Sequence, residues 1–394
     1  MRVRLKVLAL AAAPVLALGV GASAEAAPPP RAAAAGPVAG AQPAATGVRP
    51  RIWGSNSFGE LGDGNTTNRF SIGPVSVVTN AVEVAGGREH VIALAADGTV
   101  WAWGSNQYGQ IGDGTATNRP TPKKVAGLSG VTMVATGHYS SMALLSNGTV
   151  MDWGYNAFGQ LGDGTKTKRS RPVAVHNLTS VVQIAGGRGH SLALKSDGTV
   201  WAWGDNQFGE LGDGTVTTRT LPVKVTGLSG VVQVAGGRDH SLALRSDGTV
   251  WAFGNNTYGQ LGDGTVTNRS RPVRVGTLTN VVAVAAGAYQ SVALLANGTV
   301  FAWGRNNLGQ VGDGTKTARH APVQVHNLSG VVEIACGRDH GAAVLSDGTV
   351  RTWGDNEYGQ LGDGTTTNRL VPVPVPGATG VSAVTAGRSY TAVL

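Results

Sequence analysis

The side chains able to do acid–base, nucleophilic or metal chemistry recur here on a single period of fifty residues. Histidines stand at His90, His190, His240 and His340, each inside a Gly-Arg-x-His string. An aspartate sits at the centre of each Gly-Asp-Gly triplet from Asp63 to Asp363, and an arginine follows each one, from Arg69 to Arg369. A reacting site needs a nucleophile, a base and a group that orients the base, gathered in one place. Residues that recur by symmetry supply no such unique set. Neither the His-x-x-x-His nor the Cys-x-x-Cys metal spacing occurs, and there is no Gly-Lys-Ser/Thr phosphate loop. One aspartate per loop supplies too few oxygens for calcium. The single cysteine, Cys336, stands where other units carry Gly86, Thr136 or Ala286, so it reads as a small buried residue. With one cysteine no disulfide can form within the chain. The expectation is a protein with no catalytic residue, no metal and no cofactor. The repeated histidines should hold the start of a strand, and each Asp–Arg pair should close its own loop.

The elements that position these residues follow the same period. Trp53, Trp103, Trp153, Trp203, Phe253, Trp303 and Trp353 keep constant spacing, each followed by glycine. A fixed period of this size signals a repeat architecture. Within one unit, Val231–Ala235 is a β-branched run and reads as a first strand. His240–Leu244 alternates apolar and polar residues and reads as a second. Asp247-Gly248 predicts a two-residue hairpin, since both positions tolerate positive φ. Trp251–Gly254 is a third strand. A glycine-rich loop from Asn255 to about Arg269 leads to a fourth at 272–275. No helical period appears beyond the N-terminus. Seven such units predict an all-β, seven-bladed β-propeller. Six Asp-Gly or Asn-Gly hairpins occur, from Gly98 to Gly348, and the seventh is missing. Strands within 381–394 should therefore share one blade with strands at 48–53 and 74–78, which closes the ring and covers its edges. The large rings are expected to pack between adjacent blades.

The first 26 residues read as a secretory signal peptide, with Arg2, Arg4 and Lys6 before an apolar stretch and Ala-x-Ala sites after it. Residues 27–46 read as an Ala/Pro-rich linker, and residues 47–394 as the propeller. A secreted, extracellular, monomeric protein without a membrane anchor is expected. The net charge of +8 falls to +6 once Arg2, Arg4, Lys6 and Glu25 are set aside. No Lys/Arg cluster forms a nucleic-acid arm, so nucleic acid is not expected as a partner.

The string Trp203-Gly204-Asp205-Asn206-Gln207-Phe208-Gly209-Glu210-Leu211-Gly212-Asp213-Gly214-Thr215 resembles the signature of the regulator of chromosome condensation repeat family. Gly237-Arg238-Asp239-His240-Ser241-Leu242-Ala243-Leu244 does so as well. The resemblance covers residues 48–394 and implies a seven-bladed propeller. It brings three functional readings. The nuclear member is a guanine-nucleotide exchange factor that uses acidic and His residues and an inserted β-wedge, but the constant spacing here leaves no room for an insertion. A plant photoreceptor of the family uses a tryptophan where this chain has Gly87, Gly187, Gly237 and Gly337. A secreted bacterial member inhibits class A β-lactamases through loops on one face, and it matches this chain in secretion, size and absence of insertions.

The first-to-second turns and the third-to-fourth loops emerge on one face, here termed upper, and recognition is expected there. The residues that break the repeat are the most informative. They are His138 and Tyr139 in one turn, Tyr289 in another, and Tyr155 and Arg305 after Trp-Gly or its equivalent. Tyr258 and Tyr358 belong to a ring of loop aromatics, and Asp205, Arg238 and Asp239 complete the predicted contact set. Tyr and Arg combine contact area with a polar handle, which suits interface anchors. The expected partner is a protein, a class A β-lactamase in the sharpest version. A cell-wall or carbohydrate polymer bound by repeated shallow pockets is the alternative, and exchange-factor activity is the remaining one.

Overall fold

Among the described residues, short segments rich in β-branched and small apolar residues, separated by polar turns, form most of the strands. The computed structural model describes residues 47–394; the expected signal peptide and linker lie outside the described residues. Strands β1 (Arg51–Gly54) and β2 (Arg69–Pro74) come first. Strands β3 (Ala81–Gly86), β4 (His90–Ala95), β5 (Val100–Gly104) and β6 (Arg119–Lys124) then form the first complete blade, antiparallel throughout and in sequence order from axis to rim. The same four-strand set repeats over 131–174, 181–224, 231–274, 281–324 and 331–374, giving blades 2 to 6. The last two strands, β27 (Val384–Ala386) and β28 (Tyr390–Val393), pair with the first two in the order β2-β1-β28-β27. Arg51 faces Val393 and Gly54 faces Tyr390. The seventh blade is thus built from both ends of the chain, as the missing hairpin predicts.

Three details differ from the sequence reading. The outer strand begins at the arginine, as at Arg69 and Arg269, and not at the later Pro-Val run. Pairing to Asp263 pins Arg269 (2.8 Å) at the strand start. Val48 does not extend β1; it bridges Ala81 at the start of β3. The hairpin between the second and third strands is also not a two-residue turn. Gly98 (φ 80°) is left-handed and Asp97 is not. The Gly98 N–H donates to the Ala95 carbonyl, the Ala95 N–H donates to the Thr99 carbonyl, and Asp97 accepts from the Thr99 N–H (2.9 Å each). This is a type I turn followed by a left-handed glycine.

The core is distributed over seven clusters, each between two neighbouring blades. In one of them Leu242, Leu244 and Val250 of blade 4 meet Val281, Val284 and Trp303 of blade 5. Each repeated tryptophan is fully buried and donates its indole N–H into the preceding blade. Trp203 bonds the Gln160 carbonyl at 2.7 Å, and Trp153 bonds that of Gln110 at 2.9 Å. An apolar ring of this size contributes on the order of 4–6 kcal/mol of transfer free energy. Gly162 lies beneath one of these rings, where its φ is +64° and an added Cβ would stand 2.9 Å from Trp203 Nε1. The first glycine of each Gly-Asp-Gly triplet is thus set by the approach of the next blade.

Candidate functional site

Strand directions carry the first-to-second turns and the third-to-fourth loops to the same face. The repeated ionic groups there are structural. Each loop aspartate pairs with its arginine, at 2.6 Å for Asp113–Arg119 and 2.9 Å for Asp213–Arg219. Burial alone would raise the Asp113 carboxyl, but the Thr115 hydroxyl and N–H and the Arg119 guanidinium bring it below the usual range. The repeated histidines brace neighbouring blades. His90 Nε2 lies 3.0 Å from Ser141 Oγ, and that hydroxyl donates to the Gln110 carbonyl at 2.8 Å. His190, His240 and His340 repeat the contact with Ser241, Ser291 and Thr391. Since each hydroxyl proton is directed to a carbonyl, the histidine is the donor and does not activate the serine. Burial pushes His190 and His240 down to about 3, and His90 and His340 down to about 4, so all four are neutral.

The residues that break the repeat fall into two aromatic groups. In the first, Tyr108 from the loop of blade 1 meets Tyr139 of the blade 2 turn, with ring centroids 5.2 Å apart, and Tyr155 at 4.8 Å. Phe158 joins through Tyr155 (6.1 Å), and His138 packs beside Tyr139 (6.3 Å). The Arg88 guanidinium lies 5.0 Å from the Tyr139 centroid. In the second, Tyr258 of blade 4 meets Tyr289 of blade 5 at 5.1 Å. Arg238 lies over Tyr289 (5.0 Å), and Arg305 over both Tyr258 (5.4 Å) and Tyr289 (5.6 Å). The two groups use one relation, in which a loop aromatic of one blade packs on a turn aromatic of the next. Tyr258 is exposed, and Tyr139, Tyr155 and Tyr289 are half-buried.

Other members of the predicted contact set are placed differently. Asp205 and Asp239 are 3% and 6% exposed, so they are not surface contacts. They act as counter-charges beneath Arg188, at 3.5 Å and 2.9 Å. Tyr358 joins neither group. The turn it faces carries Ser389 in place of an aromatic, and the two line a small cleft with Arg88 and Arg388. The predicted contact set takes Tyr258 and Tyr358 from the ring of loop aromatics and leaves out Tyr108 and Phe158, which hold the same repeat position. It also passed over the inner arginines Arg88, Arg188, Arg338 and Arg388, because a residue found in most units reads as part of the unit. The only sequence signal for them is the recurring Gly-Arg at the end of the first strand.

Those arginines encircle the mouth of an axial channel of about 590 Å³. The mouth is framed by seven backbone hydrogen bonds running from turn to turn around the ring. The Arg88 N–H donates to the His138 carbonyl, the His138 N–H to Gly187, and so on until the Arg388 N–H returns to Arg88.

Comparison with known proteins agrees with this architecture. The RCC1-like domain matches residues 176–394, and the regulator of chromosome condensation (RCC1) repeat matches 52–94, 97–144 and 147–194. The chain belongs to the RCC1 repeat family. Among solved structures it is similar to Prp20p from Saccharomyces cerevisiae, described with its binding to Gsp1p and histones. The two are 25% identical over 89% of this chain and 92% of that one, with a TM-score of 0.80. The yeast RCC1 (Prp20) bound to Kap60 is 26% identical over 89% of each chain, with a TM-score of 0.80. Human WBSCR16 is 25% identical over 88% of this chain and 98% of that one, with a TM-score of 0.79. Among the described residues of this RCC1-family chain, no group of three His, Cys, Asp or Glu side chains is placed to hold a metal. No described helix is long and apolar enough to cross a membrane.

Proposed function

We propose that this RCC1-family propeller is a secreted, non-catalytic binding protein that engages a protein partner through its upper face. The observation that carries this reading is the pair of aromatic groups, Tyr108–Tyr139–Tyr155–Phe158 and Tyr258–Tyr289, each fixed in place by arginine. Rings already packed against one another and against a guanidinium lose little side-chain freedom on binding, which favours their use as anchors. The relatives bind proteins, Gsp1p and histones for Prp20p and Kap60 for the yeast RCC1, and lend support at the level of the family. Secretion rests on the basic and apolar opening of the sequence.

The sharpest version is inhibition of a class A β-lactamase, supported by the extracellular reading and the aromatic upper face. Titrating the protein against a panel of such enzymes with a chromogenic substrate tests it. Stoichiometric inhibition that weakens on Tyr139→Ala, Tyr155→Ala and Tyr289→Ala supports the version. No inhibition at micromolar protein removes it. Each truncated anchor should weaken partner binding about thirtyfold, the scale of an interface hot spot. One partner per propeller separates protein docking from a wall polymer, which would occupy several equivalent sites.

A further inference from the structure

Arg88, Arg188, Arg238, Arg338 and Arg388 all line the axial channel at its upper end, one from each of five blades. In the other two turns the position is held by His138 and Ala288, which also line it. Three carboxylates of the same turns accompany the five guanidiniums. Glu89 pairs with Arg88 (3.2 Å) and Arg388 (2.9 Å), Asp239 with Arg188 (2.9 Å) and Arg238 (3.3 Å), and Asp339 with Arg338 (3.1 Å). The two signs lie at different depths. The side chains of Glu89, Asp239 and Asp339 are 11%, 8% and 5% exposed, whereas those of the arginines are 27–40% exposed. None of the three carboxylates lines the channel. They fix the arginines from below and leave a cationic layer toward solvent.

The groups around the mouth respond to that layer. Burial lowers the Arg88 guanidinium, and Arg388, Arg338 and Arg238 lower it further against the pull of Glu89. Burial pushes His138 down to about 3, with Arg238, Arg88 and Arg188 adding to the effect. His138 is therefore neutral and adds no charge. Two carboxylates lie deeper in the channel. Glu83 accepts the Val134 N–H (3.0 Å), and burial raises it to about 8, so it is largely protonated at neutral pH. Glu333 accepts the Val384 N–H at 3.1 Å. The walls between carry small residues, among them Gly86, Ala135, Ala185, Gly186, Gly236 and Ala286. A cavity of this volume suits a small molecule, and convergent guanidiniums suit planar, bidentate recognition of phosphate or carboxylate.

We propose that the upper mouth of the channel is a binding site for a small multivalent anion carrying phosphate or carboxylate groups. The ligand lies on the axis among Arg88, Arg188, Arg238, Arg338 and Arg388, with its remaining bulk in the small-residued throat. The site shares Arg88 and Arg238 with the aromatic groups, whereas Arg188, Arg338 and Arg388 touch neither group, and it does not depend on the identity of a protein partner.

Calorimetric titration of the full chain at low ionic strength tests this, with tripolyphosphate as the phosphate probe and citrate as the carboxylate probe. The expected result is one ligand per chain. Removing one guanidinium, in Arg338→Gln or Arg388→Gln, should weaken binding about tenfold or more, as expected for a charge-assisted contact. Arg338→Lys keeps the charge and should lose less than Arg338→Gln. Lys166→Gln, on an exposed loop, should leave binding unchanged. Preference for tripolyphosphate would assign a phosphate ligand, and preference for citrate a carboxylate one. Dissociation constants weaker than about 1 mM for both probes would overturn the site. So would an equal loss on Lys166→Gln and Arg338→Gln, which would show only diffuse attraction to a basic protein.

Discussion

Asp152 shows how much a single residue can depart from its repeat. Four units carry alanine at this position, Ala102, Ala202, Ala252 and Ala302, all fully buried. Asp152 is equally buried. Burial pushes its carboxyl well above the usual carboxylate range, against a smaller pull from the Trp153 backbone N–H, and Asp163 adds to the rise. A group raised in the folded state stabilises fully below its unfolded pKa, and that contribution is lost as pH rises through the folded value. The chain should therefore lose stability from about pH 4 upward, where the aspartate ionises in the unfolded chain while Asp152 keeps its proton in the fold. Asp152→Ala should remove that part of the slope and stabilise the protein by about 1–3 kcal/mol at pH 8. Urea midpoints of both proteins across the pH range measure this, and parallel curves would refute it. Gly162→Ala should act in the other direction. Its Cβ would meet Val175 Cγ1 at 2.8 Å in a left-handed conformation, costing about 2–3 kcal/mol. The matching test is a denaturant midpoint lowered without a change of slope.

Among the elements, the start of the second strand carries a side-chain contact to the next blade in six of the seven blades. His90, His190, His240 and His340 reach a hydroxyl of the following blade, and Gln290 reaches the Gly337 carbonyl at 3.2 Å. Ser140 holds the same position in blade 2, in the blade whose turn and loop bear Tyr139 and Tyr155. Tyr390 closes the circle. Its hydroxyl lies 3.0 Å from the Gly87 carbonyl and 2.6 Å from the His90 carbonyl, across the junction between the last unit and the first. Tyr390→Phe should cost about 1–3 kcal/mol, since it takes the hydroxyl from the Gly87 carbonyl, while the His90 carbonyl keeps the Gly87 N–H. A thermal shift confined to Tyr390→Phe, and absent from an exposed Tyr258→Phe control, would confirm the bridge. The fifty-residue period, the Asp-Gly turns and the absent seventh hairpin made the blades and their closure legible in the sequence. The exact turn type was not legible, because Asp-Gly also satisfies a type I turn with a left-handed glycine. The start of the outer strand was missed because a salt bridge sets it and not a β-branched run. The aromatic groups could not be read either. Tyr108 and Tyr139, or Tyr258 and Tyr289, lie in successive units, and only the rotation between blades brings them into contact. Asp205 and Asp239 read as surface residues because nothing in the string shows an arginine lying above them.

The whole molecule depends on the pairing of its two ends. Removing residues 384–394 would leave β1 and β2 as a two-stranded pair with an open edge, a marginal and aggregation-prone arrangement. Such a truncation should abolish the cooperative unfolding transition and drive self-association, read by calorimetry and light scattering. A truncated chain that melts cooperatively as a monomer would show that six blades suffice.

The register of that closing pair also fixes how the molecule responds to force. Arg51, where the chain enters β1, stands opposite Val393, where it leaves β28. A pull on the two termini therefore acts at one end of the antiparallel ladder and loads its hydrogen bonds one after another, so the clasp peels open and is not sheared. A propeller held by seven interlocked seams should still yield to modest tension at its ends. Tethered by other points on the ring, the same protein should hold far longer.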